Sequence, residues 1–291
     1  MIPILLTRIK TSDGITLDGI HVRPAGKTKW ALIWIHGLTS YFYSSPRLIE
    51  ELSRSCSRNG IGYFKFSTRG HDVVVRGQGK KRFLGTVYEK FEECVHDIRA
   101  MIRHARRLGY RRVILAGHST GANKVVYYLH KTGDRNVKGV IFLGAANDIV
   151  CEKKRVGKTQ FEKNSRLARR LSRKDPLALF TSRGYLFTAR RFVSLFSPGS
   201  AEDVFPYYDP RANWKALASI RAPLAVIFGA RDECLDRPAR ELVKLFQQQA
   251  LRTPSYTGIV VPGADHSFHG REKELTRHIA QWAKTVVLSK P

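Results

Sequence analysis

The chain has 291 residues, and 51 Lys and Arg against 24 Asp and Glu give it a formal net charge of +27. Its 43% hydrophobic content is enough for a sizeable core and excludes disorder over most of its length. Cys56, Cys94, Cys151 and Cys234 lie far apart with no CxxC pair, which argues against a zinc site or a disulfide scaffold and for a reducing compartment. So large an excess of cations suggests an anionic partner, with charge spread over an ordinary soluble surface as the alternative.

The start, MIPILLTRIKTSDG, lacks the basic opening, long apolar run and cleavage site of a signal peptide. No stretch has the length of a membrane span, so the expectation is a soluble cytoplasmic protein. Short apolar runs then alternate with helical patterns. Leu5–Ile9 and Leu17–Val22 flank the turn signal Ser12-Asp13-Gly14 and read as a hairpin. Ala31–Ile35, Tyr63–Phe66, Val113–Ala116, Val140–Leu143, Leu224–Phe228 and Gly258–Val261 are continuous rather than alternating, as in strands buried on both faces of a parallel sheet. Helical patterns fall at about Pro46–Arg58, Tyr88–Leu108, Gly121–His130, Arg237–Gln249 and Arg271–Val287. In the second of these, Glu89, Glu92, Glu93 and Asp97 precede Arg99, Arg103, Arg106 and Arg107, a polarity that complements the macrodipole. The alternation predicts an α/β fold with a mostly parallel sheet of about eight strands flanked by helices, spanning 1–291 as one domain.

The interval from Leu143 to Leu224 is too long for one crossover. Residues 147–214 therefore read as a helical lid or cap, carrying the basic run Glu152–Lys174. Its apolar residues, such as Leu177, Leu179, Phe187 and Phe192, suit the cap's own small core, with some left to wall a pocket. Gly77-Gln78-Gly79-Lys80-Lys81 lacks phosphate-loop and dinucleotide spacing and reads as a basic loop.

The chemistry is concentrated in Gly117-His118-Ser119-Thr120-Gly121, a G-x-S-x-G pattern between an apolar run and an amphipathic helix. That context places Ser119 on a sharp strand-to-helix turn, with its Oγ exposed. A serine nucleophile needs a base, and the base an orienting carboxylate. Asp232 and His266 follow in chain order, each in a loop just past a buried strand, where three such loops converge. Asp265 and Asp236 are rival acids; the first adjoins His266, and the second is placed to cap the helix beginning at Arg237. His269 opens toward the final helix, and His118 packs within the turn. An oxyanion hole would combine the Thr120 N–H with the Leu38 N–H, in the loop opened by His36-Gly37. His21, His71, His96, His104, His130 and His278 have no acidic partner at metal-ligand spacing, so no metal is expected.

Together, His36-Gly37, Arg69-Gly70-His71, Gly117 to Gly121, Gly229 to Asp232 and Gly263 to His266 resemble the α/β-hydrolase superfamily over essentially the whole chain. The Gly85…Glu89 entry to the long helix and the Gly117–Lys124 stretch look like its siderophore-esterase-like and serine-aminopeptidase-like branches. The resemblance implies hydrolysis through an acyl-enzyme, usually of an ester, without a cofactor. Ser67 departs from the pattern, because many relatives carry Asp before the segment Thr68 to His71.

The resulting expectation is a serine hydrolase acting on a small carboxylic ester. Thioesters and amides are alternatives for the same machinery. A peripheral binder of anionic membrane or nucleic acid is the alternative of another class, although no nucleic-acid module signature is present. Glu152–Lys174 supplies +8 of the charge, which places an attraction for acidic substrates or an anionic interface at the cap, through Lys153, Lys154 and Arg155.

Overall fold

The computed structural model describes residues 2–79 and 82–288. The strands are β1 (Leu5–Lys10), β2 (Thr16–Val22), β3 (Trp30–Ile35), β4 (Gly62–Phe66), β5 (Val75–Arg76), β6 (Phe83–Leu84), β7 (Arg112–His118), β8 (Val137–Leu143), β9 (Leu179–Ser182), β10 (Tyr185–Thr188), β11 (Leu224–Gly229) and β12 (Tyr256–Val261). The helices are α1 (Pro46–Arg58), α2 (Cys94–Arg107), α3 (Thr120–Thr132), α4 (Asp148–Val156), α5 (Lys158–Lys174), α6 (Ala189–Phe196), α7 (Lys215–Ala218), α8 (Ala239–Gln249) and α9 (Glu272–Trp282).

Eight strands form one sheet in the order β1-β2-β4-β3-β7-β8-β11-β12. The β1–β2 hairpin turns at Ser12-Asp13-Gly14 as the sequence predicts, and β2 joins β4 antiparallel. Every later pair is parallel, so the loops after β3, β4, β7, β8, β11 and β12 share one edge. Both faces are covered, and the central strands are accordingly almost wholly apolar. On one face Ile33, Leu115 and Phe142 meet Met101 of α2, Val125 of α3 and Phe246 of α8. On the other, Leu32, Ile114 and Ile227 meet Leu52 of α1 and Ile279 of α9.

Several local expectations change. The helix predicted from Tyr88 begins at Cys94, after a 3-10 turn over Phe91–Glu93. Glu89 lies before it, fully buried against cations, so it does not serve the helix dipole. The helix predicted from Arg237 begins at Ala239 with Pro238 in the cap position; Asp236 pairs with Arg237 instead of capping. The cap is not purely helical, because β9 and β10 form a hairpin within it. Its own core joins Phe161, Phe187, Phe192, Leu195 and Phe196, while Leu177 and Leu179 are exposed. Of the basic loop Gly77–Lys81, Lys80 and Lys81 lie outside the described residues.

The cysteines also differ from expectation. Cys151 of α4 and Cys234, two residues after Asp232, form a disulfide with their Cα atoms 4.5 Å apart. Their sequence separation of 83 concealed the pairing, which only the fold creates. Cys56 and Cys94 are free and buried.

Candidate active site

The turn between β7 and α3 is built by steric exclusion. Ser119 sits at φ 54°, ψ −130°, a conformation that costs a non-glycine residue free energy. A Cβ on Gly117 would lie 2.5 Å from the Gly121 carbonyl oxygen, and one on Gly121 would strike the Ile35 carbonyl oxygen. A Cβ on Gly37 would meet the Ser119 Cβ at 2.8 Å. Thus three glycines let β7, α3 and the loop after β3 close around one serine.

The structure brings the three widely separated residues together. His266 Nε2 lies 3.0 Å from Ser119 Oγ. Its Nδ1 lies 2.9 and 3.0 Å from the two carboxylate oxygens of Asp232. Asp232 is buried, and its Oδ1 also accepts the Cys234 N–H at 3.0 Å. Gly144, at the end of β8, packs against the imidazole; a Cβ there would be 3.1 Å from His266 Cε1. Burial alone would lower the His266 pKa, but the Asp232 carboxylate outweighs it, with Glu233 and Asp148 adding to the rise above 6.5.

The rivals are elsewhere. Asp265 bonds the exposed His269 at 2.8 Å, and Asp236 faces Arg237. His118 packs as expected, with one further contact: its Nε2–H donates to the His266 carbonyl at 2.8 Å. Enclosure keeps this ring neutral by pushing its pKa down to about 4. His36 is buried; its Nδ1–H donates to the Gly37 carbonyl at 2.7 Å while Nε2 accepts the Thr68 N–H at 2.9 Å. The two bonds fix its tautomer and lock the loop after β3 to the loop after β4. Among the described residues, the N–H groups of Leu38 and Thr120 donate to no protein acceptor. Thr120 opens α3, whose N-terminal dipole end faces Ser119. Ser67, the departure from the resemblance, accepts the Phe42 N–H at 3.1 Å and so supports the same loop.

Three features escaped sequence reasoning. Glu233 accepts the His266 N–H at 3.0 Å, a second anchor beside Asp232 that its adjacency could have signalled. Asp148, at the head of α4, accepts from Asn123 at 3.0 Å; burial, with Glu202, pushes its pKa up to about 7. Finally, a buried ionic network ties the cap to the turn. Lys124 of α3 pairs with Glu89 at 2.6 Å, Arg191 of α6 pairs with Glu89 at 3.1 Å, and Arg191 also pairs with Glu202. Lone charges at such depth would be prohibitively costly, whereas paired ones fix the cap's position.

The cations nominated at the cap are committed to the protein itself, Lys153 and Arg155 within the cap and Lys154 to the loop after β11. Lys154 donates to the Leu235 carbonyl at 2.8 Å, Arg155 to both oxygens of Glu152, and Lys153 lies over the Phe161 ring. Among the described residues, Asp232, Cys234 and His266 are the cluster whose atoms come close enough to hold a metal ion, within 4.8 Å. In that cluster Nδ1 is already bonded to the carboxylate and the sulfur is in the disulfide. No helix among the described residues is long and apolar enough to cross a membrane.

Known structures share this architecture. The siderophore hydrolase EstB from Aspergillus fumigatus superposes with a TM-score of 0.71 at 17% identity, covering 100% of this chain and 99% of that one. A soluble variant of monoglyceride lipase from Saccharomyces cerevisiae, in complex with a substrate analog, gives 0.68 at 16% identity, over 99% and 96%. Est1E from Butyrivibrio proteoclasticus with bound ferulic acid gives 0.67 at 18%, over 96% and 98%. These likenesses establish the α/β-hydrolase fold. No curated protein sequence matches the chain. A family model described as "Protein of unknown function (DUF1749)" matches residues 15–286, and the chain belongs to that family.

Proposed function

We propose that this DUF1749 chain, one α/β-hydrolase domain with a cap over residues 147–214, cleaves a small carboxylic ester through an acyl-enzyme. One observation carries the reading: the unbroken relay from Ser119 Oγ through His266 to buried Asp232, at 3.0 and 2.9 Å, on a backbone strained to expose the hydroxyl. The structural neighbours named as siderophore hydrolase and monoglyceride lipase support an ester over other bonds.

In this reading Ser119 Oγ attacks the carbonyl carbon as its proton passes to His266 Nε2. The imidazolium keeps its Nδ1–H on Asp232, whose negative charge stabilises it. Negative charge develops on the former carbonyl oxygen, where the Leu38 and Thr120 N–H groups and the α3 dipole receive it. Collapse expels the alcohol, which takes the proton from Nε2. Water then attacks the acyl-Ser119 with His266 as base, releasing the acid and restoring the serine. Thioesters and amides fit the same steps, differing in the leaving group.

The test is turnover on a panel of acyl esters, thioesters and aminoacyl amides, with Ser119→Ala as the blank. Ester hydrolysis by the wild type and none by the blank supports the reading. Hydrolysis that survives in Ser119→Ala overturns it.

A further inference from the structure

The cationic excess has a specific address at the opposite edge of the sheet, where the parallel strands begin. Backbone hydrogen bonds stitch the loops there side by side, in sheet order. The Arg111 N–H donates to the Lys29 carbonyl, the Val113 N–H to Asn136, the Val140 N–H to Pro223, and the Leu224 N–H to Ser255. Thr253 also donates to the Ala222 carbonyl at 2.6 Å. The loops before β3, β7, β8, β11 and β12 therefore form one continuous ridge.

That ridge is almost uniformly positive. Residues 23–29, 106–112, 131–138, 219–223 and 250–255 contain 12 Lys and Arg and one acidic residue, Asp134. Asp134 is spent internally, accepting from the Tyr128 hydroxyl at 2.6 Å and from Asn136 at 2.9 and 2.7 Å. Arg107, Arg111, Arg135, Lys138, Arg221 and Arg252 are exposed. Among the described residues none of these six pairs with a carboxylate.

Helix dipoles account for only part of this. The C-termini of α2, α3 and α8 point to this edge and favour a nearby cation each. But Arg111, Arg135, Arg221 and Arg252 lie outside helices, and the loop before β3 adds Arg23, Lys27 and Lys29 with no helix ending in it. Two leucines project among the cations: Leu108, beside Arg107, is 46% exposed, and Leu251, beside Arg252, is 73% exposed. Of the aromatic side chains at this edge, Tyr110 and Tyr128 are buried and the half-buried Trp30 ring is covered by the Arg112 guanidinium, so these offer no open stacking platform for bases. Protruding leucines set among arginines match a bilayer boundary, where cations meet anionic headgroups and short apolar side chains enter the acyl region.

We propose that the amino-terminal edge of the sheet, built around Arg107, Arg111, Arg135 and Arg252 with Leu108 and Leu251, docks on a bilayer of anionic phospholipid. The geometry gives this docking a consequence. Ser119 and the cap lie at the other edge, so a docked molecule presents its site to the aqueous side. The membrane thus localises the protein and is not where its site opens.

The test is cosedimentation of the full chain with vesicles of phosphatidylglycerol and phosphatidylcholine, against pure phosphatidylcholine, at about 0.05 M and about 0.5 M salt. Binding to the anionic vesicles alone, released at the higher salt, is expected. Arg107→Gln/Arg111→Gln/Arg135→Gln should lower the partition coefficient at least about tenfold, with an unchanged melting profile by circular dichroism showing that it folds. Leu108→Ser/Leu251→Ser should weaken vesicle binding severalfold. Arg169→Gln/Arg170→Gln on the cap should bind like wild type. The proposal is overturned by failure to bind anionic vesicles, by wild-type binding in the triple variant, or by duplex DNA displacing the protein from vesicles through a tighter complex at the same edge.

Discussion

The two edges of the sheet carry opposite designs. At the carboxyl edge, residues 36–45, 67–72, 144–148, 230–238 and 262–271 hold four Lys and Arg and six Asp and Glu. Many of these charges are committed: Arg69 is buried among Asp13, Glu93 and Asp97, and Asp232 is buried against His266. The amino edge holds 12 cations and one carboxylate, and the six arginines and lysines singled out there are unpaired among the described residues. The contrast teaches where charge does work. Buried and paired, it sets geometry and proton affinity at a few atoms; exposed and unopposed, it sets the field seen by a large partner.

This division is open to attack from either side, beginning with the largest expected effect. Ser119→Ala should lower kcat by about 10⁶-fold in ester turnover while leaving vesicle binding intact. Asp232→Asn should cost about 10⁴-fold in kcat. It should also shift the pH profile. With neutral His266 as the proposed base, wild-type kcat/KM should rise with pH through an inflection above 6.5, because Asp232 holds the imidazole high. Without that carboxylate, desolvation prevails, and the inflection should move to lower pH. An unmoved inflection would assign the pH dependence to another group.

Gly121→Ala should destabilise the fold by about 3 kcal/mol, read from the denaturant midpoint, because the added Cβ meets the Ile35 carbonyl. Glu202→Gln should cost about 3 kcal/mol by leaving Arg191 half paired at depth. The smallest effect belongs to the other edge: Arg111→Gln/Arg135→Gln should leave ester kcat/KM within about twofold of wild type. A large loss there would mean that the two edges are coupled.

The distribution of charge also shows what the sequence could reveal. The parallel strands were legible because burial on both faces leaves continuous apolar runs, such as Val113–Ala116 and Leu224–Phe228. Ser119, Asp232 and His266 were legible because each lies just past such a run, so local pattern implied a shared edge. Glu89 was misassigned because helical periodicity continues backward through residues that fold as a 3-10 turn. The Cys151–Cys234 bond, the Arg191–Glu202 pair and the Asn123–Asp148 contact join segments 83, 11 and 25 residues apart, and nothing in their spacing announces the contact. The cap's basic run was prominent as a block of sequence, yet Lys153 and Arg155 are used within the cap and Lys154 fastens it to the loop after β11. The amino-edge cations are scattered over five short segments, and sheet order alone assembles them.

The central claim is that Ser119 is a nucleophile activated by His266. Its most direct measurement is intact-protein and peptide mass spectrometry after treatment with a fluorophosphonate. The account predicts one adduct, on the peptide containing Ser119, absent from Ser119→Ala and formed far more slowly in His266→Ala. An adduct on any other residue, or undiminished modification of Ser119→Ala, would contradict it.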